Sequence, residues 1–184
     1  MAAESQGGAE ADGYSEGMRL AVGDVVVYPA QGVGPIVARE QRLVLGDVRE
    51  VVVLDLVDGL SVTLPVEHAR RVLRPLLSDA DLHLVQKTLR ESHPPSEEAW
   101  LKRRKEAQEK IAGGDPVGLA EVVRDGALRE RRMRAKGNGS LLSAGERAIY
   151  MKARSLLSGE IGLANGLEPV EADAWIDQQL GAAA

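Results

Sequence analysis

A two-part chain, a small β barrel followed by an all-α helical bundle, is what the order of signals along these 184 residues predicts. Three observations point there. Short β-branched runs cut by glycine and proline continue up to Pro75. Beyond it the apolar residues recur at three- and four-residue spacing. Helix-start residues stand ahead of the later segments. The organisation is α+β, with the strands first.

In residues 1–17, Gly, Ala, Ser and Glu dominate. So little apolar surface cannot offset the entropy of ordering, and a disordered acidic tail is expected. Strands are expected over residues 18–75. Val25, Val26 and Val27 end at Tyr28-Pro29, and Gly32, Gly34 and Pro35 punctuate the chain before Ile36-Val37 resumes. Val51 to Leu54 and Leu56-Val57 lead to Asp58-Gly59, a hairpin dipeptide, after which Leu60, Val62 and Leu64 alternate toward Pro65. Four or five short strands with tight glycine turns point to a twisted barrel rather than an open sheet.

Residues 76–184 read as helical. Ser78 with Asp81 caps a first helix carrying Leu82, Val85 and Leu89, which His93-Pro94-Pro95 stops. Ser96 with Glu97 and Glu98 opens a second, closed by Gly113-Gly114. Asp115-Pro116 opens a third through Leu119, Val122 and Val123, followed by a basic run and a loop at 136–140. Ser143 and Glu146 form a capping box for a fourth helix, and a last helix spans about Pro169 to Leu180, with Trp175 and Ile176 on its apolar side.

Composition excludes several functions. With no cysteine there is no disulfide framework, thiolate zinc site or cysteine nucleophile. His68, His83 and His93 are dispersed without metal-ligand spacing, and no phosphate-binding or nucleophile-elbow motif occurs. The glycines of GVGP fit turn geometry, and Asp79/Asp81 and Glu97/Glu98 fit the first turns of helices. No enzyme activity, metal or cofactor is expected. Neither a secretory leader nor a membrane-length apolar run is present, so the chain reads as soluble and cytoplasmic, and as a monomer.

The net charge of −5 hides an asymmetry. Residues 1–17 carry four acids and no base, residues 100–136 carry eleven Lys/Arg against six Asp/Glu, and residues 137–184 carry three against six. Phosphate attraction is screened beyond about 10 Å at 0.1 M salt, so the basic middle says more about partners than the total.

That middle opens with EEAWLKRRKEAQEKI, residues 97–111, where Trp100 precedes Lys102, Arg103, Arg104 and Lys105 in a chain with five aromatic residues and no Phe. On a helix, Trp100 shares a face with Arg103, Arg104, Ala107 and Ile111. Two readings stay open. Either Trp100 belongs to a core stripe with Arg104 lying over the indole, or it projects beside phosphate-binding cations as an apolar wedge at a base step. Consecutive residues advance by about 100°, so the four cations do not all line one face. A second basic run, Arg129, Arg131, Arg132, Arg134 and Lys136, is either a solvated helix end or a supplementary phosphate contact.

These residues resemble the CarD/CdnL family of bacterial transcription regulators. VGDVVVYPAQGVGPI at 22–36 looks like the family's opening strand and turn. AWLKRRKEAQEKIAGGD from 99, AEVVRD at 120–125 and LSAGERAIYMKARSLLSGEIGLA at 142–164 follow in the family's order. The resemblance covers about residues 18–180. It implies a Tudor-like (SH3-like) barrel, shared with the transcription-repair coupling factor, that docks on the RNA polymerase β subunit partly through a strand edge. It also implies a helical domain whose tryptophan wedges into the minor groove of promoter DNA at the upstream edge of the bubble, stabilising the open complex. Trp100 matches the wedge, Lys102, Arg103, Arg104 and Lys105 fall at or beside the DNA contacts, and Arg42 and Thr63 fall on the polymerase-facing side. There are departures: Thr63 stands where some members carry a base, Arg104 replaces a tyrosine, Gly126 replaces a leucine, and the acidic tail has no counterpart.

The expected protein is therefore a non-enzymatic regulator bound to polymerase and promoter DNA, and through polymerase associated with the nucleoid. The alternative is a protein–protein adaptor, a divergent paralogue whose helical domain binds another protein. An RNA-binding barrel is disfavoured because residues 18–75 carry seven acids and seven bases.

Overall fold

Among the described residues, four antiparallel strands, a short helix and a fifth strand come first, and five helices follow. The structure is a computed structural model and describes residues 18–92, 94, 96–136 and 142–182. The acidic tail 1–17, His93 and Pro95 of the expected helix stop, and most of the expected 136–140 loop lie outside the described residues.

The strands are β1 (Val25–Tyr28), β2 (Gly32–Val44), β3 (Asp47–Asp55), β4 (Ser61–Pro65) and β5 (Arg74–Pro75), in the sheet order β4-β3-β2-β1-β5. The sheet and the helices after it bear out the expected α+β class, a Tudor-like β domain plus a helical domain. One expectation changes. Gly32, Gly34 and Pro35 do not interrupt the chain but begin β2, the longest strand. The first four residues of β2 pair with β1 and the rest with β3, the change of partner falling at a bulge between Ile36 and Ala38. Gly34 is needed for close approach rather than for a turn, because a Cβ there would lie 1.9 Å from the Asp55 carbonyl oxygen.

Helix α1 (Val66–Val72) and the two-residue β5 carry too short a signal to be read from sequence. Val66 and Ala69 of α1 are buried against Leu20, Val26, Ile36, Val52, Leu54 and Leu64, and these form the core of the sheet domain.

The helical domain contains α2 (Asp79–Arg90), α3 (Trp100–Gly113), α4 (Pro116–Ala135), α5 (Ala144–Asn165) and α6 (Pro169–Gly181). Capping boxes at Ser78/Asp81 and Ser143/Glu146, and Asp115 accepting from the Gly118 N–H, start three of them as expected. Two boundaries differ. Ser96 does not open α3; Ala99 stands at the cap without a side-chain bond. Arginines reach back and take the carbonyls of the preceding segment, Arg129 that of Ser96 at 2.6 Å and Arg103 that of Glu98. The second basic run does not follow α4 but occupies its last turns. The helix continues through Gly126 because that glycine lets α5 approach, a Cβ there falling 2.5 Å from the Tyr150 ring.

The helical core gathers Val85, Leu89, Ile111, Leu119, Val123, Leu157, Ile161 and Ile176. It is joined to the sheet domain by an ion pair that sequence reading passed over. Arg74 of β5 grips Glu160 of α5 with two N–H···O bonds of 2.5 and 2.7 Å and also donates to the Gly114 carbonyl. Glu160 is 1% exposed and accepts a third bond from the Leu77 N–H. Gly114, with φ +66°, ends α3 against Pro29 of the β1–β2 turn, where a Cβ would come within 2.7 Å.

Candidate nucleic-acid interface

Trp100 is the first residue of α3, and its side chain is half-buried. It lies across the first turn of α5. Its Cζ2 would be 3.1 Å from a Cβ at Gly145, so the missing side chain makes room for the indole. Among the described residues, Trp175 packs against the helical core and Trp100 is not one of the side chains that do. Both halves of the indole's placement matter: it is supported from one side and stands outside the core.

The four cations after it divide as helix geometry requires. Arg103, one turn on, is 19% exposed; its guanidinium sits 5.7 Å from the indole centroid and donates to Glu146 at 2.6 Å. Arg103, rather than Arg104, is thus the residue over the ring. Lys102 is exposed and pairs with Glu98, with Glu106 at 3.9 Å. Lys105 is 79% exposed, with Glu109 at 3.8 Å. Among the described residues, the exposed Arg104 makes no hydrogen bond or ion pair.

Glu146 ties this corner together, and sequence reading saw only its capping role. Its carboxylate accepts from Ser143 and from Arg103, with Arg129 of α4 at 4.0 Å. Burial pushes its carboxyl up, but the Ser143 and Arg103 hydrogen bonds outweigh that and hold it below the ordinary range. Burial and the like charge of Arg103 in turn lower Arg129. Two guanidinium groups share one carboxylate. Behind the indole is a cleft of about 100 Å³ between α3, α4 and α5, reached by Ala107, Gly126, Leu142 and Tyr150.

The second basic run is split by α4. Arg132 reaches toward Glu97 (3.9 Å) beside α3, whereas Arg131 donates to the Leu180 carbonyl of α6. On the sheet domain, Arg42 of β2 and the exposed Thr63 of β4 meet, Nη1 to Oγ1 at 3.5 Å, and Glu40 holds the other edge of the guanidinium. Among the described residues β4 pairs only with β3, so they leave its outer edge open. Among the described residues no group of three or more His, Asp or Glu could hold a metal, and no helix is long and apolar enough to cross a membrane. His68 lies half-buried in α1, and His83 is exposed on α2.

Residues 84–177, just over half the chain, match the CarD C-terminal domain, and residues 20–77 match the CarD-like/TRCF RID domain. The chain belongs to the CarD family. CarD-type proteins are transcription factors that interact with RNA polymerase, and this chain matches both domains. The RID match spans every element of the sheet domain, and the C-terminal-domain match begins within α2 and ends within α6. Trp100 and the cations around it therefore fall inside the CarD C-terminal domain, while Arg42 and Thr63 fall inside the RID domain.

Proposed function

We propose that the chain is a non-enzymatic regulator that docks on the RNA polymerase β subunit through the sheet domain and grips upstream promoter DNA through the α3 face. There Trp100 wedges into the minor groove and stabilises the open complex, with Lys102, Arg104 and Lys105 on neighbouring phosphates. The observation that carries the reading is an indole held outside the core beside exposed cations at the start of α3. The open edge of β4, with Arg42 and Thr63 near it, suits addition of a polymerase strand.

Open-complex half-life measured with purified polymerase tests it. The parent chain lengthens the half-life, and Trp100→Ala removes the effect while polymerase binding is retained. Unchanged lifetimes on several promoters with the alanine variant would refute the wedge. The adaptor reading has one observation in its favour, Leu101, 75% exposed next to the indole. It requires Leu101→Ala to abolish binding of a protein partner with promoter binding intact.

A further inference from the structure

Arg103 differs from its three cationic neighbours in where its charge is engaged: Lys102 and Lys105 pair with exposed carboxylates, Arg103 with a largely buried one on another helix. The guanidinium lies over the indole, Nη1 donates to the Glu98 carbonyl, and Nη2 donates to Glu146, itself only 14% exposed. Releasing it toward a phosphate would strip Glu146 of its close partner and leave Arg129 at 4.0 Å as the remaining counter-charge. The exposed Arg104 and Lys105 need no such release.

The indole, for its part, is half-buried at the mouth of the cleft. Below it is the bare backbone of Gly145, and behind it the cleft of about 100 Å³ offers room to swing inward. Trp100 is in the first turn of its helix, with no side-chain cap at Ala99. Over the ring, 5.7 Å from its centroid, is the guanidinium of Arg103, held by the Glu98 carbonyl and Glu146.

We propose that Arg103 is a positioning residue rather than a phosphate ligand: anchored by Glu146, it holds the Trp100 indole in the pose offered to DNA. The proposal rests on the reading of the Trp100 face given above and assigns to Glu146, on α5, a part in an interface made by α3. A planar fork is required, because lysine reproduces the charge but does not reach two acceptors at fixed angles beside the ring. Glutamine at 146 keeps an acceptor for the capping box with Ser143, loses the charge shared by Arg103 and Arg129, and turns an amide NH2 rather than an oxygen toward Arg103.

The test uses the full chain labelled with 5-fluorotryptophan, whose two tryptophans give two fluorine resonances. Arg103→Lys and Glu146→Gln are expected to move the Trp100 resonance and raise its solvent exposure without DNA present. The Trp175 resonance, reporting the helical core, stays in place and certifies the fold. With polymerase and promoter, both variants shorten the open-complex half-life toward that of Trp100→Ala. The slope of log affinity against log salt stays at the parent value, whereas Arg104→Ala lowers it by roughly 0.9, one phosphate contact. An unmoved Trp100 resonance in both variants overturns the proposal without reference to DNA. So does an Arg103→Lys variant that keeps the parent half-life while Arg103→Ala loses about one unit of salt slope. Failure of the wedge reading shows separately, as an unchanged half-life with Trp100→Ala.

Discussion

The two ends of α5 use one chemistry at two depths. Near its C-terminal end Glu160, 1% exposed, takes Arg74 and closes the seam between sheet and helices; near its N-terminal end Glu146, 14% exposed, takes Arg103 and steadies an indole. The carboxylates are fourteen residues apart, about 21 Å along the axis. Depth decides what each pair does. Where the carboxylate is fully buried, breaking the pair costs more than the pair contributes, so Arg74–Glu160 acts as a joint that cannot open without cost. A pair at the rim stays in reach of water and can be part of a working surface.

The largest effect tests the joint. Glu160→Ala leaves Arg74 facing α5 without its carboxylate and should cost about 3–5 kcal/mol in urea unfolding. A midpoint equal to the parent's would remove the pair from any account of how the two domains are held.

The tryptophans sharpen the contrast next. Trp175 packs on the helical core and Trp100 does not. Trp175→Ala should cost about 2–3 kcal/mol and Trp100→Ala about 1, both below the 3–5 of a fully buried ring. Equal losses would erase the distinction between a core ring and a surface ring.

The corner pair comes third, with a pH signature. Glu146 has its carboxyl held below the ordinary 4.5, so its contribution is fully present above that value and is lost as pH falls through the depressed one. Glu146→Gln should cost about 1–2 kcal/mol at pH 7. Parent and variant should converge as the pH drops below 4.5. A gap that persists unchanged into acid would mean that the lost charge is not what the variant reports.

Smallest are the exposed cations. Arg104→Ala and Lys105→Ala should each shift stability by less than about 0.5 kcal/mol. Each should nevertheless lower the salt slope of promoter binding by roughly 0.9. A stability loss comparable to that of the rim pair would place these side chains in the fold rather than on a free face.

Much of this was legible beforehand where local chemistry decides. The caps at Ser78, Asp115 and Ser143 and the glycine end at Gly114 stand where residue type demanded them. Errors gathered where distant chain intervenes. Ser96 has the chemistry of a helix start, yet Arg129, more than thirty residues on, takes its carbonyl and α3 begins at Trp100. Gly34 looks like a break and is instead a place where the Asp55 backbone must come close.

By itself, then, the sequence determined the order of strands and helices, the core residue types, the basic middle segment and the candidate tryptophan, because each rests on periodicity, capping or charge within a few residues. Only the tertiary structure decided that Arg103 and not Arg104 covers the indole, that Glu146 serves α3 as well as α5, and that Arg74 and Glu160, eighty-six positions apart, join the domains. Each of those depends on which helix faces meet, a matter of long-range packing that no local spacing records.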